Sequence, residues 1–139
     1  MSRCNSIKEE LKQYIYRQEE LKQLENSIKE LRDKMTSIAS TQFDAIPYNG
    51  TGEHDKIGEL ITKVVDLEQK YNDKFKRLLS EQERLEIMLD GLDERERVLM
   101  RKRYKESKNW ETICVEMHYS WNHIHRLHSR CLTKLQNKE

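Results

Sequence analysis

The sequence has very few residues that reverse the chain: four glycines and one proline among 139 residues. It also lacks long apolar runs, and none approaches the roughly 20 apolar residues that a membrane span needs. No apolar block follows the N-terminus to mark a secretory signal. We therefore expect few turns, no membrane partner and a cytoplasmic location.

Cysteine is scarce as well. The three cysteines, Cys4, Cys114 and Cys131, are odd in number and scattered, so they do not form the framework of a disulfide-stapled domain. Cys114 and Cys131 fall on predicted inward helix faces, where a thiol serves as a small apolar filler. We expect all three to be reduced.

Apolar residues make up only 35% of the chain, whereas 37% of its residues are charged. A compact globule of this length carries nearer half apolar residues, and a charge-rich chain with sparse, periodic apolar positions is typical of long helices or coiled coils. The composition therefore predicts an all-α protein with an extended element and a small domain.

Two long amphipathic helices are predicted in the first two thirds. The first begins at Ser6, which has Glu9 at the capping-box spacing, and ends near Ser37; the second begins near Glu53 and ends near Leu89. Their apolar stripes are narrow and near-heptad. The first stripe consists of Ile7, Leu11, Tyr14, Leu21, Leu24, Ile28, Leu31, Met35 and Ile38. The second consists of Ile57, Leu60, Val64, Leu67 and Tyr71 and then, after a predicted shift of register, of Phe75, Leu78, Gln82, Leu85, Leu89 and Leu92. This pattern favours a coiled-coil-like antiparallel hairpin, or pairing of the same stripes between two chains in a homodimer.

Residues 37–52 are predicted to form the loop of the hairpin. Pro47 and the turn formers around it disfavour helix. Phe43, Ile46 and Tyr48 are apolar for a loop and are candidates to cap the hairpin end; the role of the loop is otherwise open.

A joint is predicted at Gly91, where a left-handed residue ends the long helix. Asp93 and Glu96 then have capping-box spacing and open a third helix with Val98, Leu99, Met100 and Tyr104 inside. The predicted domains are thus the hairpin, residues 1–90, and a three-helix unit, residues 91–139. The second is near the lower size limit for independent folding.

Residues 109–135 have the pattern of a helix, a short turn and a second helix. Trp110, Ile113, Cys114 and Met117 share one face of the first helix. Ser120 is a good N-cap, so the second helix should begin at Trp121. Its inward stripe is Ile124, Leu127, Cys131 and Leu135. This is helix-turn-helix spacing, although two packed bundle helices show similar periodicity.

Charge is unevenly distributed along the chain. Residues 93–139 contain 11 Lys or Arg and 7 Asp or Glu, together with four of the five histidines. Because phosphate contacts dominate nonspecific DNA affinity, this part is the predicted surface for double-stranded DNA. Arg101, Lys102, Arg103 and Lys105 are either further phosphate contacts or solvated surface.

The second helix of the motif supplies the predicted DNA contacts. Arg126 and Arg130 bring charge, Asn122 can pair with adenine, and the histidines can bond to phosphates or bases. Trp121 either stacks on the sugar backbone or packs within the protein. The full predicted set is Ser120, Trp121, Asn122, His123, His125, Arg126, Ser129, Arg130 and Lys134.

Metal and catalytic sites are not predicted. His125 with His128, or His128 with Cys131, offers two ligands, but structural zinc needs four that converge. The carboxylates lie beside Lys and Arg on solvated helix faces, where ion pairing explains them. There is no phosphate-binding glycine loop or nucleophile motif, so we expect neither a cofactor nor enzymatic activity.

The segments LDERERVLMRKRY, NWETICVEMHYS and WNHIHRLHSRCLTKL resemble region four of bacterial sigma factors. The matching positions are Leu92, Arg95, Glu96, Arg97, Tyr104, Trp110, Ile113, Ser120 and Leu135. With its charged N-terminal hairpin, the chain is similar to small phage transcriptional regulators of the RinA and ArpU type. The resemblance implies a DNA-binding regulator of late phage genes in the host cytoplasm, with RNA polymerase as a further partner.

Two departures limit this resemblance. The turn has His118 where the family usually has glycine, and the recognition helix is rich in histidine rather than arginine, so base specificity does not carry over. Two other functions fit the pattern: a DNA-recognition subunit like the phage small terminases, and a polymerase-binding interaction protein. The target sequence, the sign of regulation and the oligomeric state stay open.

Overall fold

The computed structural model describes residues 3–44 and 51–137, and every regular element in these ranges is helical. None of these helices combines the length and apolar composition that a bilayer span requires. The elements are α1 (Arg3–Asp44), α2 (Thr51–Leu89), α3 (Glu94–Met100) with a π-helical turn (Arg101–Lys105), α4 (Trp110–Met117) and α5 (Trp121–Asn137). The predicted all-α class, a long antiparallel hairpin followed by a small helix-turn-helix unit, is confirmed.

The chain divides into two compact units, and both contain parts of α1 and α2. The hairpin unit, Glu19–Arg77, pairs the two long helices in opposite directions: Lys74 lies 2.6 Å from Glu20, and Arg32 pairs with Glu68. Its buried apolar residues are Leu21, Ile28, Leu60 and Val64. These positions belong to the predicted stripes, so the seam of this unit is formed within one chain.

The C-terminal unit consists of the described residues up to Gln18 together with those from Leu78 onward. Here too α1 runs antiparallel to α2, with Arg17 2.7 Å from Glu81 and Arg84 3.2 Å from Glu10. Its core joins both long helices to the three short ones. Its buried apolar residues are Ile7, Leu11, Tyr14, Leu78, Leu85, Leu89, Leu92, Leu99, Met100, Tyr104, Ile113, Ile124, Leu127, Cys131, Leu132 and Leu135. The short helices therefore do not form their core alone.

The predicted bounds of α1 and α2 were wrong at both ends of the loop. Residues 37–44 and 51–52 are helical, so the predicted loop of residues 37–52 is not a loop there. The hydroxyl of Thr36 donates to the carbonyl of Arg32, 3.0 Å away, a bond that lets threonine stay within a helix. The segment around Pro47 lies outside the described residues, as do the side chains proposed to cap the hairpin.

The predicted N-cap of α1 and the predicted left-handed residue at the end of α2 were also wrong. Helix α1 is already helical at Arg3, so Ser6 lies inside it rather than at its N-cap. No described glycine has a positive φ, so Gly91 is not left-handed. Instead, α2 ends in a tight turn in which the amide of Leu92 donates to the carbonyl of Leu89, 2.9 Å away. A turn of this kind needs no left-handed residue.

Two predicted inward residues are exposed. Phe75 is 40% exposed, because the heptad continues from Tyr71 to Lys74 and Leu78 without the predicted shift of register. Lys74 is half-buried in the seam position, where its ammonium reaches Glu20. Val98 is 42% exposed on α3.

The predicted capping box of α3 and the predicted turn between α4 and α5 are both present. Asp93 and Glu96 form a capping box in both directions, with distances of 2.9 and 3.0 Å. His118 adopts the left-handed conformation, φ 58° and ψ 42°, that ends α4. The amide of Tyr119 then donates to the carbonyl of Cys114, 3.0 Å away, in a Schellman-type closure. The turn between α4 and α5 is therefore formed with histidine in the place of glycine.

Candidate nucleic-acid interface

Helix α5 begins where the sequence predicted. The hydroxyl of Ser120 accepts a hydrogen bond from the amide of His123, 3.1 Å away, which satisfies a free donor of the first turn. All four predicted inward residues of α5 are buried, and so are His128 and Leu132. With two more residues inside, the buried stripe is wide enough to contact both α3 and α4. One face of α5 is thus fixed to the unit, and the opposite face is left to solvent.

The exposed face of α5 contains most of the predicted contact residues. Trp121, Asn122, Arg126, Ser129 and Arg130 are all exposed. The surface between them has two shallow depressions, and Arg126 borders both. The first is lined by Trp121, Asn122, His125, Arg126 and Ser129, and the second by His123, Arg126, Leu127 and Arg130. We call this surface, from Trp121 to Arg130, the reading face.

The reading face carries positive charge without a nearby acid on the same helix, because α5 has no Asp or Glu. The guanidinium of Arg126 makes a long bond, 3.4 Å, from its Nε to the carbonyl of Asn122. That contact leaves the terminal guanidinium nitrogens of Arg126 for a ligand. Such donors suit phosphate oxygens and the acceptors of guanine.

Lys134 is placed differently from the other predicted contacts. Its ammonium lies 2.7 Å from the carboxylate of Glu96, which is only 1% exposed. Glu96 raises the pKa of Lys134 by accepting this hydrogen bond. The same carboxylate closes the capping box with Asp93 and contacts the thiol of Cys131 at 3.8 Å. Lys134 therefore joins α5 to α3, and its charge is largely offset.

The thiol of Cys131 is held in its protonated form. Burial is the main reason that the pKa of Cys131 rises to about 12, and the Glu96 carboxylate adds to the effect. A thiol at that pKa is neither a nucleophile nor a metal ligand at neutral pH. Within residues 3–44 and 51–137, no group of three or more His, Cys, Asp or Glu side chains is arranged to hold a metal.

The basic run from Arg101 to Lys105 lies in the π-helical turn, and acidic partners offset much of its charge. Arg101 makes two bonds to Glu86, at 2.8 and 3.1 Å, and Lys105 lies 3.8 Å from the same carboxylate. Lys102 pairs with Glu116 at 2.7 Å. These pairs hold the turn against α2 and α4, so the run is mainly a structural element of the unit.

A row of packed aromatic rings lies beneath the reading face, and the sequence analysis did not predict these contacts. His125 lies between two indoles, 4.5 Å from Trp121 and 4.8 Å from Trp110. Trp110 also contacts His128 edge-on at 4.7 Å, and the guanidinium of Arg103 lies 4.7 Å from its ring centre. The signal was present as the i, i+4 spacing of Trp121 and His125, but the packing of α4 on α5 was needed to identify Trp110 as their neighbour.

Histidines 123 and 128 have distinct surroundings. His123 is exposed, and its ring lies 4.4 Å from that of Tyr119 in the turn. His128 is buried, bonds to Tyr104 and has its pKa lowered to about 4, chiefly by burial. Of these two residues, His123 therefore presents its imidazole at the surface, whereas His128 does not.

Comparison of the sequence with known protein families agrees with this helix-turn-helix arrangement. The family model described as Sigma-70, region 4 matches residues 88–137, about a third of the chain. These residues form a helix-turn-helix like that of sigma region 4, a DNA-binding, non-enzymatic domain of the transcription apparatus. Neither the curated proteins nor the solved structures contain a match to the chain.

Proposed function

We propose that the protein is a sequence-specific transcriptional regulator that reads the major groove of DNA with residues 121–135. The observation that carries this proposal is the construction of α5. Its buried stripe fixes it to α3 and α4, and the opposite face presents Asn122, Arg126 and Arg130 with no acidic residue on the helix. A helix of this width enters the major groove, where base edges present distinct donors and acceptors.

Each residue of the reading face has a proposed role. Arg126 and Arg130 contact phosphates or guanine, and Asn122 pairs with adenine. Ser120, His123 and Ser129 donate hydrogen bonds to phosphates, and Trp121 and His125 form the apolar part of the surface. Lys134 adds to the positive electrostatic potential near the DNA. It contributes less to DNA affinity than the two arginines, because its ammonium is paired with Glu96.

The remaining parts of the proposal concern the whole chain. We assign DNA recognition to residues 91–139, and homodimerisation or contact with RNA polymerase to the hairpin, residues 1–90. We also propose that the target genes are late phage genes, transcribed in the host cytoplasm. The resemblance of residues 92–136 to sigma region four, taken together with the charged N-terminal hairpin, supports this choice.

The test is selection of bound duplexes from a random pool at low and moderate salt, followed by sequencing. Enrichment of a defined motif is the expected result, and the symmetry of the motif reports whether two protomers bind. Arg126→Ala and Arg130→Ala should each weaken binding, and the loss of each phosphate contact should lower the slope of log K against log salt by about 0.9. Arg77→Ala, at an exposed position of α2, is the matched control and should change neither.

Weak binding without sequence preference would contradict the proposal. If the two reading-face variants bind as the wild type does, the assigned surface is wrong. A large ring of protomers in light scattering would indicate a packaging subunit, and no DNA affinity at low salt would indicate a protein partner instead.

A further inference from the structure

Trp121 is the most conspicuous apolar group on the reading face. It is the first residue of α5, and its side chain is 53% exposed although one side of the ring lies against His125. A single exposed indole needs no explanation by itself. The way in which its neighbours hold it does, because they fix a large apolar surface at the end of the helix that is closest to base edges in helix-turn-helix complexes.

The ring of His125 is held by packing rather than by polar contacts. Its Nε2 atom is buried and has no hydrogen-bond partner among the described residues. The ring instead contacts Trp121 at 4.5 Å and Trp110 at 4.8 Å, and Arg103 covers Trp110 at 4.7 Å. His125 is therefore a spacer between two indoles, and it holds the Trp121 ring in one place before any ligand binds.

The depression in front of this ring has two kinds of wall. Asn122, Arg126 and Ser129 supply donors and acceptors, and the indole of Trp121 supplies an apolar surface. Base edges in the major groove are almost entirely polar. The one apolar group they present is the C5 methyl of thymine. The same methyl group is present on 5-methylcytosine.

We infer, on the basis of the function proposed above, that Trp121 contacts the 5-methyl group of a pyrimidine in the major groove. His125 is the positioning residue for this contact, and Asn122 with Arg126 engages the polar atoms beside it. The sequence preference of the protein should then include a methyl-bearing pyrimidine at one position of its site. Loss of that methyl group should lower the affinity only when the indole of Trp121 is present.

The test starts from the duplex that the selection enriches, with each thymine replaced in turn by uracil, which lacks only the methyl group. We expect the wild type to lose about three- to fivefold in affinity at one position, the effect of exposing one buried methyl group. In Trp121→Ala, the ratio of thymine to uracil affinities at that position should fall to about one. Arg130→Ala is the control, because it should weaken both duplexes equally and preserve the ratio.

A second arm separates the two sources of the methyl group. At the sensitive position, a C·G pair is compared with the same pair carrying 5-methylcytosine. A gain of similar size on methylation supports a contact that accepts either pyrimidine. No gain, with the uracil effect still present, supports a contact restricted to thymine by the polar groups around it.

Variants at His125 test the positioning role. His125→Ala should reduce the thymine-to-uracil ratio because the indole loses its support, and His125→Phe should restore it because a ring again fills the space. Circular dichroism should show the same helix content in all variants. A merely structural role would lower affinity for both duplexes and leave the ratio unchanged.

Three results would overturn the inference. A selected motif with no uracil-sensitive position would exclude the methyl contact but leave the proposed function standing. Persistence of the uracil effect in Trp121→Ala would assign the methyl contact to another residue. Failure to select any motif would overturn both the proposed function and this inference.

Discussion

The hydroxyl oxygen of Tyr104 lies 2.7 Å from Nε2 of His128, and both side chains are buried. This hydrogen bond joins the π-helical turn to α5 beneath the reading face. Burial raises the pKa of Tyr104 to about 12 and lowers the pKa of His128 to about 4, so both groups are uncharged at neutral pH. The position of α5 thus depends on a histidine that the folded state keeps neutral.

The first prediction is that acid destabilises the C-terminal unit through His128. In the unfolded chain this imidazole takes up a proton near pH 6.5, whereas in the folded chain it does so only near pH 4. The contribution of His128 to the free energy of unfolding is therefore fully present above about pH 6.5. It is lost as the pH falls to about 4, and the loss is on the order of 3 kcal/mol. Urea titrations between pH 7 and pH 4 measure the loss.

The comparison that isolates His128 is His128→Leu, which keeps a similar volume and does not titrate. Carboxylates and the other histidines contribute equally to both proteins, and so do Lys8 and Arg103, whose charges also oppose protonation of His128. The difference in unfolding free energy between the two proteins should therefore shrink as the pH falls from 6.5 to 4. An unchanged difference would show that His128 has the same pKa in the folded and the unfolded chain.

The second prediction separates stability from DNA binding at two basic residues of α5. Lys134→Ala should lower the melting temperature, because it leaves the buried carboxylate of Glu96 without its charged partner. Arg130→Ala should leave the melting temperature nearly unchanged, because Arg130 lies on the exposed face. In DNA-binding assays, Arg130→Ala should lose more affinity than Lys134→Ala. Thermal melts and titrations with DNA on the same preparations test both halves, and a larger binding loss for Lys134→Ala would be the contrary result.

The sequence revealed features that depend on local spacing and missed those that depend on which helices meet. The capping box of Asp93 and Glu96 was readable because both residues lie within one turn. The partnership of Glu96 with Lys134 was not, because the two are 38 residues apart and meet only when α3 packs on α5. The inward position near residue 75 was missed for the same reason. Lys74 rather than Phe75 occupies it, and Lys74 is paired there with Glu20 of the facing helix.

Polar residues at seam positions show the same limit. Gln18 interrupts the apolar stripe of α1, and no pattern in the sequence explains a polar residue at that position. In the structure its side-chain amide donates to the carbonyl of Tyr104, and its carbonyl accepts from the hydroxyl of Ser107 at 3.2 Å. Gln18 therefore binds the chain around the π-helical turn, an irregular element that no periodicity predicts.

The third prediction follows from this pair of bonds. Gln18→Leu keeps the bulk of the side chain but removes the partner of the Tyr104 carbonyl, so it should destabilise the C-terminal unit by about 1–2 kcal/mol. Gln13→Leu, at an exposed position of α1, is the matched control and should change stability by less than about 0.5 kcal/mol. Chemical denaturation of the two variants gives the comparison. Equal stability of both would mean that the Gln18 bonds contribute nothing net.

The last prediction concerns the turn that orients α5. His118 ends α4 with φ 58° and ψ 42°, a conformation that costs an L-residue free energy and costs glycine none. His118→Gly should therefore stabilise the protein by about 0.5–1 kcal/mol, after allowance for the greater entropy of glycine in the unfolded chain. The same substitution at exposed His123, inside α5, should destabilise it by up to about 1 kcal/mol, because there glycine has only its poor helix propensity. Opposite signs in urea titrations would locate the strain at residue 118, whereas destabilisation by both variants would show that the His118 side chain itself contributes to holding the turn.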